Sequence, residues 1–138
     1  MNDKIFLDTN ILVYAYNSDD LTKQKITVKL LREDFAEKEI CISVQVLNEF
    51  YSVLSKHKIE HSEIEQYINE IINSVQIFPI SVLISKKALA IRKKYRYSWW
   101  DSLVLASALE SNSSILYSED MQNGQFIENS LKIVNPFV

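Results

Sequence analysis

The sequence is poor in the residues that build disulfides, zinc sites and flexible linkers. Its 138 residues include one glycine, two prolines, one cysteine and two histidines. A lone cysteine, Cys41, excludes an internal disulfide, and so few sulfur and imidazole ligands argue against a structural zinc site. The sequence also lacks internal repeats, low-complexity segments and a linker. We therefore expect residues 1–138 to form a single domain.

Long apolar runs and a strong excess of charge of either sign are missing too. No run is long and apolar enough for a membrane-spanning helix, which needs about 18 such residues. The N-terminus lacks the basic, apolar and small-residue order of a secretory signal, so we expect a cytoplasmic protein with no membrane partner. The net charge of −3 does not by itself indicate a nucleic-acid-binding protein. It is still compatible with a local basic surface.

Short apolar runs alternate with segments of helical periodicity along the chain. The runs predict β-strands at 5–7, 40–42, 75–78, 115–117 and 132–134. Between them, apolar residues recur at helical spacing, and residues 99–109 are apolar enough for a helix buried on most sides. Helices between short strands imply right-handed βαβ units. The pattern predicts an α/β fold with a mostly parallel central sheet of four to five short strands, flanked by helices.

Two helices carry more detailed signals. Asp19 and Asp20 open a long amphipathic segment that ends near Lys38. Its apolar residues recur at helical spacing, and they are Ile26, Leu30, Leu31 and Phe35. In a later helix, Ser62 and Glu65 have the spacing of a capping box, which predicts the start of that helix.

The chain is organised around residues 4–16, where an apolar run ends at Asp8 and a second one begins at Ile11. Thr9 and Asn10 are residue types that cap helix starts. Asp8 is therefore expected at the carboxyl end of a strand, beside the positive end of a helix. In open α/β sheets ligands bind at that position. The alternative is that Asp8 only caps or neutralises the helix start.

Three further acids stand apart from the exposed helix faces that hold most of the 18 acidic residues. Glu49 lies at the edge of an apolar helical stripe, Asp101 precedes the most apolar helix, and Asp120 follows the fourth strand. Asp101 alone is compatible with a favourable helix N-terminus, and Asp120 alone with a turn. Together with Asp8, however, Asp101 and Asp120 occupy strand and helix junctions, which cluster at one edge of such a sheet.

Clustered carboxylates predict a particular chemistry. Like charges in a partly desolvated pocket raise one another's pKa unless a cation is present. Oxygen ligands without His or Cys suit hard cations such as Mg²⁺ or Mn²⁺. Such a cation activates a water and neutralises charge on a phosphoryl group, so the cluster indicates metal-assisted hydrolysis.

The motifs around these acids resemble those of the PIN-domain nucleases, in the same order and across the whole chain. They are Asp8-Thr9-Asn10 after the first strand, Asn48-Glu49, Trp100-Asp101-Ser102, and Tyr117-Ser118-Glu119-Asp120. The length of the chain is similar to that of the VapC-like toxins of bacterial type II toxin–antitoxin pairs.

The resemblance implies a Mg²⁺- or Mn²⁺-dependent endoribonuclease that hydrolyses RNA phosphodiester bonds. It implies a catalytic cluster with the metal at three of its members, hydrogen-bonding support, a homodimer and a separate antitoxin protein. The implied catalytic residues are Asp8, Glu49, Asp101 and Asp120, with metal ligands Asp8, Asp101 and Asp120 and supporting residues Thr9, Asn10, Ser118 and Glu119. Glu119 stands beside Asp120, so which of the two reaches the metal is open, and Asp120 is favoured.

Residues 86–96 include six lysine and arginine residues and no acid, and this basic run leads directly into Asp101. Because lysine and arginine contacts to phosphate dominate nucleic-acid affinity, Lys93, Lys94 and Arg96 are candidate RNA-binding residues. The aromatic candidates for stacking on unpaired bases are Tyr95, Tyr97 and Trp99. The alternative for these aromatic residues is that they belong to the core.

Two other functions compete with a nuclease. A haloacid-dehalogenase-like phosphatase also begins with an aspartate after a strand and reads Asp-x-Asp, but Asn10 stands where its general acid would be. A non-catalytic PIN-like binding module would lack one or more of the four acids, and all four are present. Removal of metal by EDTA separates a nuclease from a binding module, because only the nuclease loses RNA cleavage.

Overall fold

Six strands and six helices make up residues 3–138, the part of the chain that the computed structural model describes. The strands are β1 (Lys4–Leu7), β2 (Glu39–Ser43), β3 (Gln76–Phe78), β4 (Ile115–Tyr117), β5 (Phe126–Ile127) and β6 (Leu131–Val134). The helices are α1 (Thr9–Tyr16), α2 (Leu21–Glu37), α3 (Val44–Lys56), α4 (His61–Ser74), α5 (Val82–Tyr95) and α6 (Trp99–Glu110). None of these helices is both long and apolar enough to cross a membrane.

The described strands form one sheet in the order β3-β2-β1-β4-β6-β5. All neighbours pair in parallel except β5 and β6, which are antiparallel. The predicted α/β fold with a mostly parallel sheet flanked by helices is confirmed. The sheet has six strands rather than the four to five expected. The strand that was missed is β5, whose two residues are too few to leave a periodic signal in the sequence.

The core lies against the middle of the sheet. β1 pairs on both sides, with β2 and β4, and its residues Ile5 and Phe6 have no exposed surface. A central parallel strand covered on both faces reads as a continuous apolar run, which is why β1 is visible in the sequence. Helix α6 is buried on most sides as predicted, with seven successive residues from Ser102 to Ala108 buried.

The predicted capping box at Ser62 is wrong. The N-cap of helix α4 is Glu60, two residues earlier than predicted, so the helix begins at His61, and no side-chain hydrogen bond is formed at the cap. The backbone N–H groups of Glu63 and Ile64 both donate to the Glu60 carbonyl oxygen, at 3.1 Å each. Ser62 therefore lies inside the first turn of α4 and is not its N-cap.

Helix α2 turns a different face to the core than its apolar residues suggest. Its buried residues are Thr27, Leu31 and Asp34, whereas Ile26 and Phe35 are 39% and 45% exposed. Two polar residues share the buried face, so the apolar pattern alone misplaces it. The Asp34 carboxylate forms an ion pair of 3.3 Å with Lys38 one turn later, which compensates part of the cost of burying its charge.

Candidate active site

The candidate site lies at the carboxyl ends of the paired strands β1 and β4. The register places Leu7 opposite Tyr117, so Asp8 and Ser118, the next residues of the two strands, meet at one edge of the sheet. The Asp8 backbone N–H donates to the Tyr117 carbonyl at 3.0 Å. The Ser118 hydroxyl donates to Oδ2 of Asp8 at 2.8 Å.

Asp8 itself is the N-cap of α1, although the sequence suggests Thr9 and Asn10 as capping residues. Helix α1 begins at Thr9, whose backbone N–H donates to Oδ1 of Asp8 at 2.8 Å. The side chain of Asp8 is nearly buried. Burial raises its pKa from 3.8 to about 6, against the hydrogen bonds from Ser118 and Thr9, which lower it, and the charges of Asp101 and Glu49 raise it further.

Asn10 connects the start of α1 to the loop that follows β4. Its amide nitrogen lies 3.0 Å from Oδ2 of Asp120 and 3.5 Å from Oδ2 of Asp8. Its amide oxygen accepts from the backbone N–H of Glu119 at 3.2 Å. The single amide therefore orients two carboxylates and fixes the backbone beside one of them.

Glu49 reaches the site from α3, with both carboxylate oxygens hydrogen bonded. The Thr9 hydroxyl donates to Oε2 at 2.8 Å, and the Gln45 amide donates to Oε1 at 2.8 Å. Gln45 is a site residue that the sequence motifs do not reveal. The signal that could have found it is its position one helical turn before Glu49, a spacing at which side chains on a helix interact.

Asp101 lies in the first turn of α6, whose N-cap is Ser98. The backbone N–H of Asp101 donates to the Ser98 hydroxyl at 3.1 Å. Partial burial raises the pKa of Asp101, the charge of Asp120 raises it further, and a hydrogen bond with Ser98 opposes the shift. Asp101 and Asp120 are therefore close enough to repel each other.

All four predicted acids line one cavity of about 420 Å³, which we call the acidic pocket. Asp19, Asp20 and His57 also line it, so its charge is strongly negative. Oxygen-only donors of this kind fit a hard divalent cation. The donors are not drawn together around one point: across residues 3–138 no group of three acidic, histidine or cysteine side chains is arranged to hold a metal ion. The Asn10 amide lies between the carboxylates of Asp8 and Asp120.

Glu119 and Asp120 face different partners. The Tyr14 hydroxyl donates to Glu119 at 2.6 Å, and Lys23 forms an ion pair with the same carboxylate. Burial acts to raise the pKa of Glu119, but these two partners bring it below its ordinary value. Asp120 lines the acidic pocket. Of the two neighbours, the structure places Asp120 beside the other acids.

The basic run lies on helix α5, reaches its C-cap and precedes α6. Lys93, Lys94 and Arg96 are exposed, and Arg96 is the C-cap of α5 in the left-handed conformation. Lys94 forms an ion pair of 2.9 Å with Glu128. No ion pair is found for Lys93 or Arg96 with any other residue in the described range 3–138.

The aromatic residues beside this run are half-buried and pack against the core. The Tyr95 hydroxyl accepts from the backbone N–H of Glu128 at 2.9 Å, and the Tyr97 hydroxyl accepts from that of Gln122 at 3.2 Å. These contacts fit the core alternative rather than base stacking. By contrast, Trp100, which was not among the residues predicted to stack, is 62% exposed.

Comparisons with known proteins agree with this fold. The family model of the PIN domain matches residues 5–123. No curated protein sequence gives a significant match. A toxin–antitoxin complex from Klebsiella pneumoniae is structurally similar, with a TM-score of 0.70 and 22% identity, over 96% of this chain and 97% of that one.

Two further solved structures share the fold. VapBC2 from Rickettsia felis, bound to a DNA fragment from its promoter, gives a TM-score of 0.73 at 21% identity and covers 96% of this chain and 99% of that one. VapC20 from Mycobacterium tuberculosis, a sarcin–ricin loop cleaving toxin, gives 0.68 at 18% identity, over 81% and 86% of the two chains.

Proposed function

Because the chain belongs to the PIN domain family, we propose that it is a metal-dependent endoribonuclease, the toxin of a VapBC-type toxin–antitoxin pair. The observation that carries the proposal is the acidic pocket. A nearly buried aspartate with a pKa raised to about 6 shares one cavity with three more carboxylates, at the sheet edge where α/β proteins bind ligands. Such a concentration of negative charge is typical of a site that binds a cation.

We assign Asp8, Asp101 and Asp120 as the residues that would hold Mg²⁺ or Mn²⁺. When bound, a cation of this kind activates water and neutralises the charge that develops on a phosphoryl group. Ser118 and the backbone N–H of Thr9 hold the Asp8 carboxylate in place, and Asn10 orients Asp120.

Glu49 is the acid that we place outside the metal set. The Thr9 hydroxyl and the Gln45 amide each donate to one of its oxygens, and each oxygen keeps a further lone pair. The carboxylate is thereby fixed at the wall of the acidic pocket. In the proposed reaction Glu49 accepts a proton from the attacking water.

RNA is the proposed substrate. The exposed residues Lys93 and Arg96 lie on the chain just before the site and suit phosphate contacts, with Lys94 as the third predicted member of this surface. One of the similar structures, VapC20, is a toxin that cleaves the sarcin–ricin loop, which supports RNA cleavage by a protein with this fold.

A cognate antitoxin and a second copy of the chain are the proposed protein partners, and the cytoplasm is the proposed location. Two of the similar structures are toxin–antitoxin complexes. The acidic pocket is complementary to a basic segment, so an antitoxin that inhibits the enzyme is expected to place Lys or Arg side chains there. The homodimer rests on the resemblance of the sequence to the toxin branch of the family.

The two competing functions find less support. In the phosphatase alternative a general acid would occupy position 10, but the Asn10 amide donates to the neighbouring carboxylates. In the binding-module alternative the acids would have no need to cluster. Desolvation makes the charge of Asp8 unfavourable, and a purely structural module gains nothing from keeping it.

The test is cleavage of a single-stranded RNA that contains every dinucleotide step. We expect cleavage in Mn²⁺, loss of cleavage in EDTA, and recovery when Mn²⁺ is restored. Asp101→Asn should lower the rate at least about a hundredfold, because it removes a charge that stabilises the transition state through the cation. Glu33→Gln, a change to an exposed acid on α2, is the matched control and should keep the full rate. Cleavage that persists in EDTA, or full activity of folded Asp101→Asn, would overturn the proposal.

A further inference from the structure

A second, larger cavity of about 760 Å³ adjoins the acidic pocket and shares Glu49 with it. We call it the apolar cavity. Its walls come from three parts of the chain: Val44 at the start of α3, Pro79 and Ile80 between β3 and α5, and Trp100 and Leu103 on α6. Its size lies within the range of small-molecule sites, roughly 300–1,000 Å³.

Trp100 is the aromatic wall of this cavity and remains 62% exposed. It directly precedes Asp101, which lines the acidic pocket, so the Cα atoms of these two residues are about 3.8 Å apart. The Gln45 amide donates to the Trp100 carbonyl at 3.3 Å and to Glu49 at 2.8 Å. One side chain thus links the backbone of Trp100 to Glu49, which lines both cavities.

We propose that the apolar cavity is a nucleobase subsite, in which an unpaired RNA base stacks on Trp100 while the adjoining phosphodiester lies at the acidic pocket. The inference rests on the proposed function and deepens it by assigning the residue of this chain that positions one base of the substrate. Stacking on aromatic side chains is how proteins recognise bases in single strands and loops, and bases inside a duplex are not free to enter such a cavity. The subsite therefore takes one base that is turned out of the RNA strand beside the cleaved bond.

Asn48 gives this subsite a means to distinguish bases. It is exposed and lines the apolar cavity one residue before Glu49. Its amide offers both a donor and an acceptor to the edge of a stacked base. The Gln45 amide nitrogen, by contrast, is already engaged with Glu49 and Trp100.

A nucleobase fits the cavity better than a second copy of the chain does. The cavity is concave and includes the Glu49 carboxylate, whereas charged residues are depleted at the centre of protein–protein interfaces. Its continuity with the acidic pocket also matches a ligand that has an apolar part and an anionic part within one nucleotide.

The test is a double-mutant cycle between Trp100 and the RNA. Binding is measured in the Asp101→Asn background, which keeps the RNA intact, with the single-stranded RNA used above and with versions that carry an abasic site at successive positions. We expect Trp100→Ala to weaken binding of intact RNA roughly tenfold, and Trp100→Phe to weaken it less than about threefold, because phenyl rings also stack. An abasic site at one position should weaken binding to the Trp100 protein by a similar factor and have no further effect on the Trp100→Ala protein. Leu89→Ala, a change to an exposed apolar residue on α5, is the matched control and should leave binding unchanged.

The outcomes separate this inference from the proposed function. If Trp100→Ala weakens binding of intact and abasic RNA equally, whatever the position of the abasic site, the subsite is overturned even if the enzyme cleaves RNA. If the protein does not cleave RNA, the binding cycle still decides the subsite. Light scattering of both proteins addresses the second copy: a dimer that becomes a monomer in Trp100→Ala, without coupling in the cycle, would show that the cavity is an interface and would overturn the proposal.

Discussion

Asp8 is a buried carboxyl group whose charged form is unfavourable in the folded protein. It has two good hydrogen-bond donors, the Thr9 N–H and the Ser118 hydroxyl, and it caps a helix, all of which favour the charged form. Desolvation outweighs them and raises its pKa from 3.8 to about 6. At neutral pH this shift corresponds to a destabilisation of the folded state by roughly 3 kcal/mol.

Replacement of Asp8 by asparagine should therefore stabilise the metal-free protein. Between pH 3.8 and about 6 the folded state binds more protons at Asp8 than the unfolded state does, so its stability falls as the pH rises through this window. In EDTA at pH 7.5 we expect Asp8→Asn to melt roughly 5–10 °C above the wild type. Asparagine also caps helices, so α1 keeps its N-cap.

The pH dependence of this difference is the control. At pH 5 the folded wild type is largely protonated at Asp8, so the gap in melting temperature should narrow. Asp8→Ala removes the charge and the cap together, and should gain less stability than Asp8→Asn. A lower melting temperature for Asp8→Asn in EDTA at pH 7.5 would show that Asp8 serves the fold as a charged group.

Among the elements, α6 shows how a helix start can serve stability and the site together. Ser98 accepts from the backbone N–H of Asp101, and its hydrogen bond with Asp101 also holds down the pKa of that carboxyl. We expect Ser98→Ala to lower the free energy of unfolding by about 1 kcal/mol in urea titrations. The acidic limb of the plot of cleavage rate against pH should move to higher pH, because the pKa of Asp101 rises when the hydrogen bond with Ser98 is lost.

Ser98→Thr is the matched variant, because threonine keeps the hydroxyl. It should retain most of the stability and the pH profile of the wild type. If Ser98→Ala loses stability but its pH profile does not move, Ser98 is only a helix cap and does not tune Asp101.

The elements also show what the sequence could predict. β1 and α6 are buried on most sides, so their sequences are nearly all apolar, and both elements were predicted correctly. The inward face of α2 includes Thr27 and Asp34, and hydropathy does not reveal polar residues that are buried beside a partner. The start of α4 depends on backbone hydrogen bonds to the Glu60 carbonyl, which have no side-chain signature.

The residues of the candidate site also divide into those that the sequence could predict and those that it could not. Asp8 could be placed because a strand end and a helix start meet there, a local feature of the chain. Gln45 has only the weak signal of its spacing from Glu49, and the position of Trp100 has none. The role of Trp100 depends on the approach of the start of α3 to the start of α6, which brings the Gln45 amide to the Trp100 carbonyl. The assignment of Glu119 likewise required Lys23 and Tyr14, which are distant in sequence.

At the scale of the whole molecule, a protein of net charge −3 has to attract RNA to a negatively charged pocket. The basic run at the end of α5 is the predicted solution, but its members are not equivalent, because Lys94 is already paired with Glu128. We expect the Lys93→Ala, Arg96→Ala double variant to flatten the dependence of RNA affinity on salt by about one to two units of logarithmic slope. Lys94→Ala should change the slope less. An unchanged slope in the double variant would show that the basic run does not contact the RNA phosphates.

The central claim is that the acids of one pocket bind the cation that cleaves RNA, and it is tested most directly by the dependence of the cleavage rate on Mn²⁺ concentration. The wild type should show no cleavage in EDTA and a rate that saturates with Mn²⁺. Asp120→Asn should need at least about tenfold more Mn²⁺ for half of its maximal rate, because one proposed ligand loses its charge. Glu119→Gln changes the adjacent acid, which is paired with Lys23 rather than lining the pocket, and should keep the half-saturating concentration of the wild type. Equal Mn²⁺ requirements for wild type and Asp120→Asn, or a greater change in Glu119→Gln, would contradict the account.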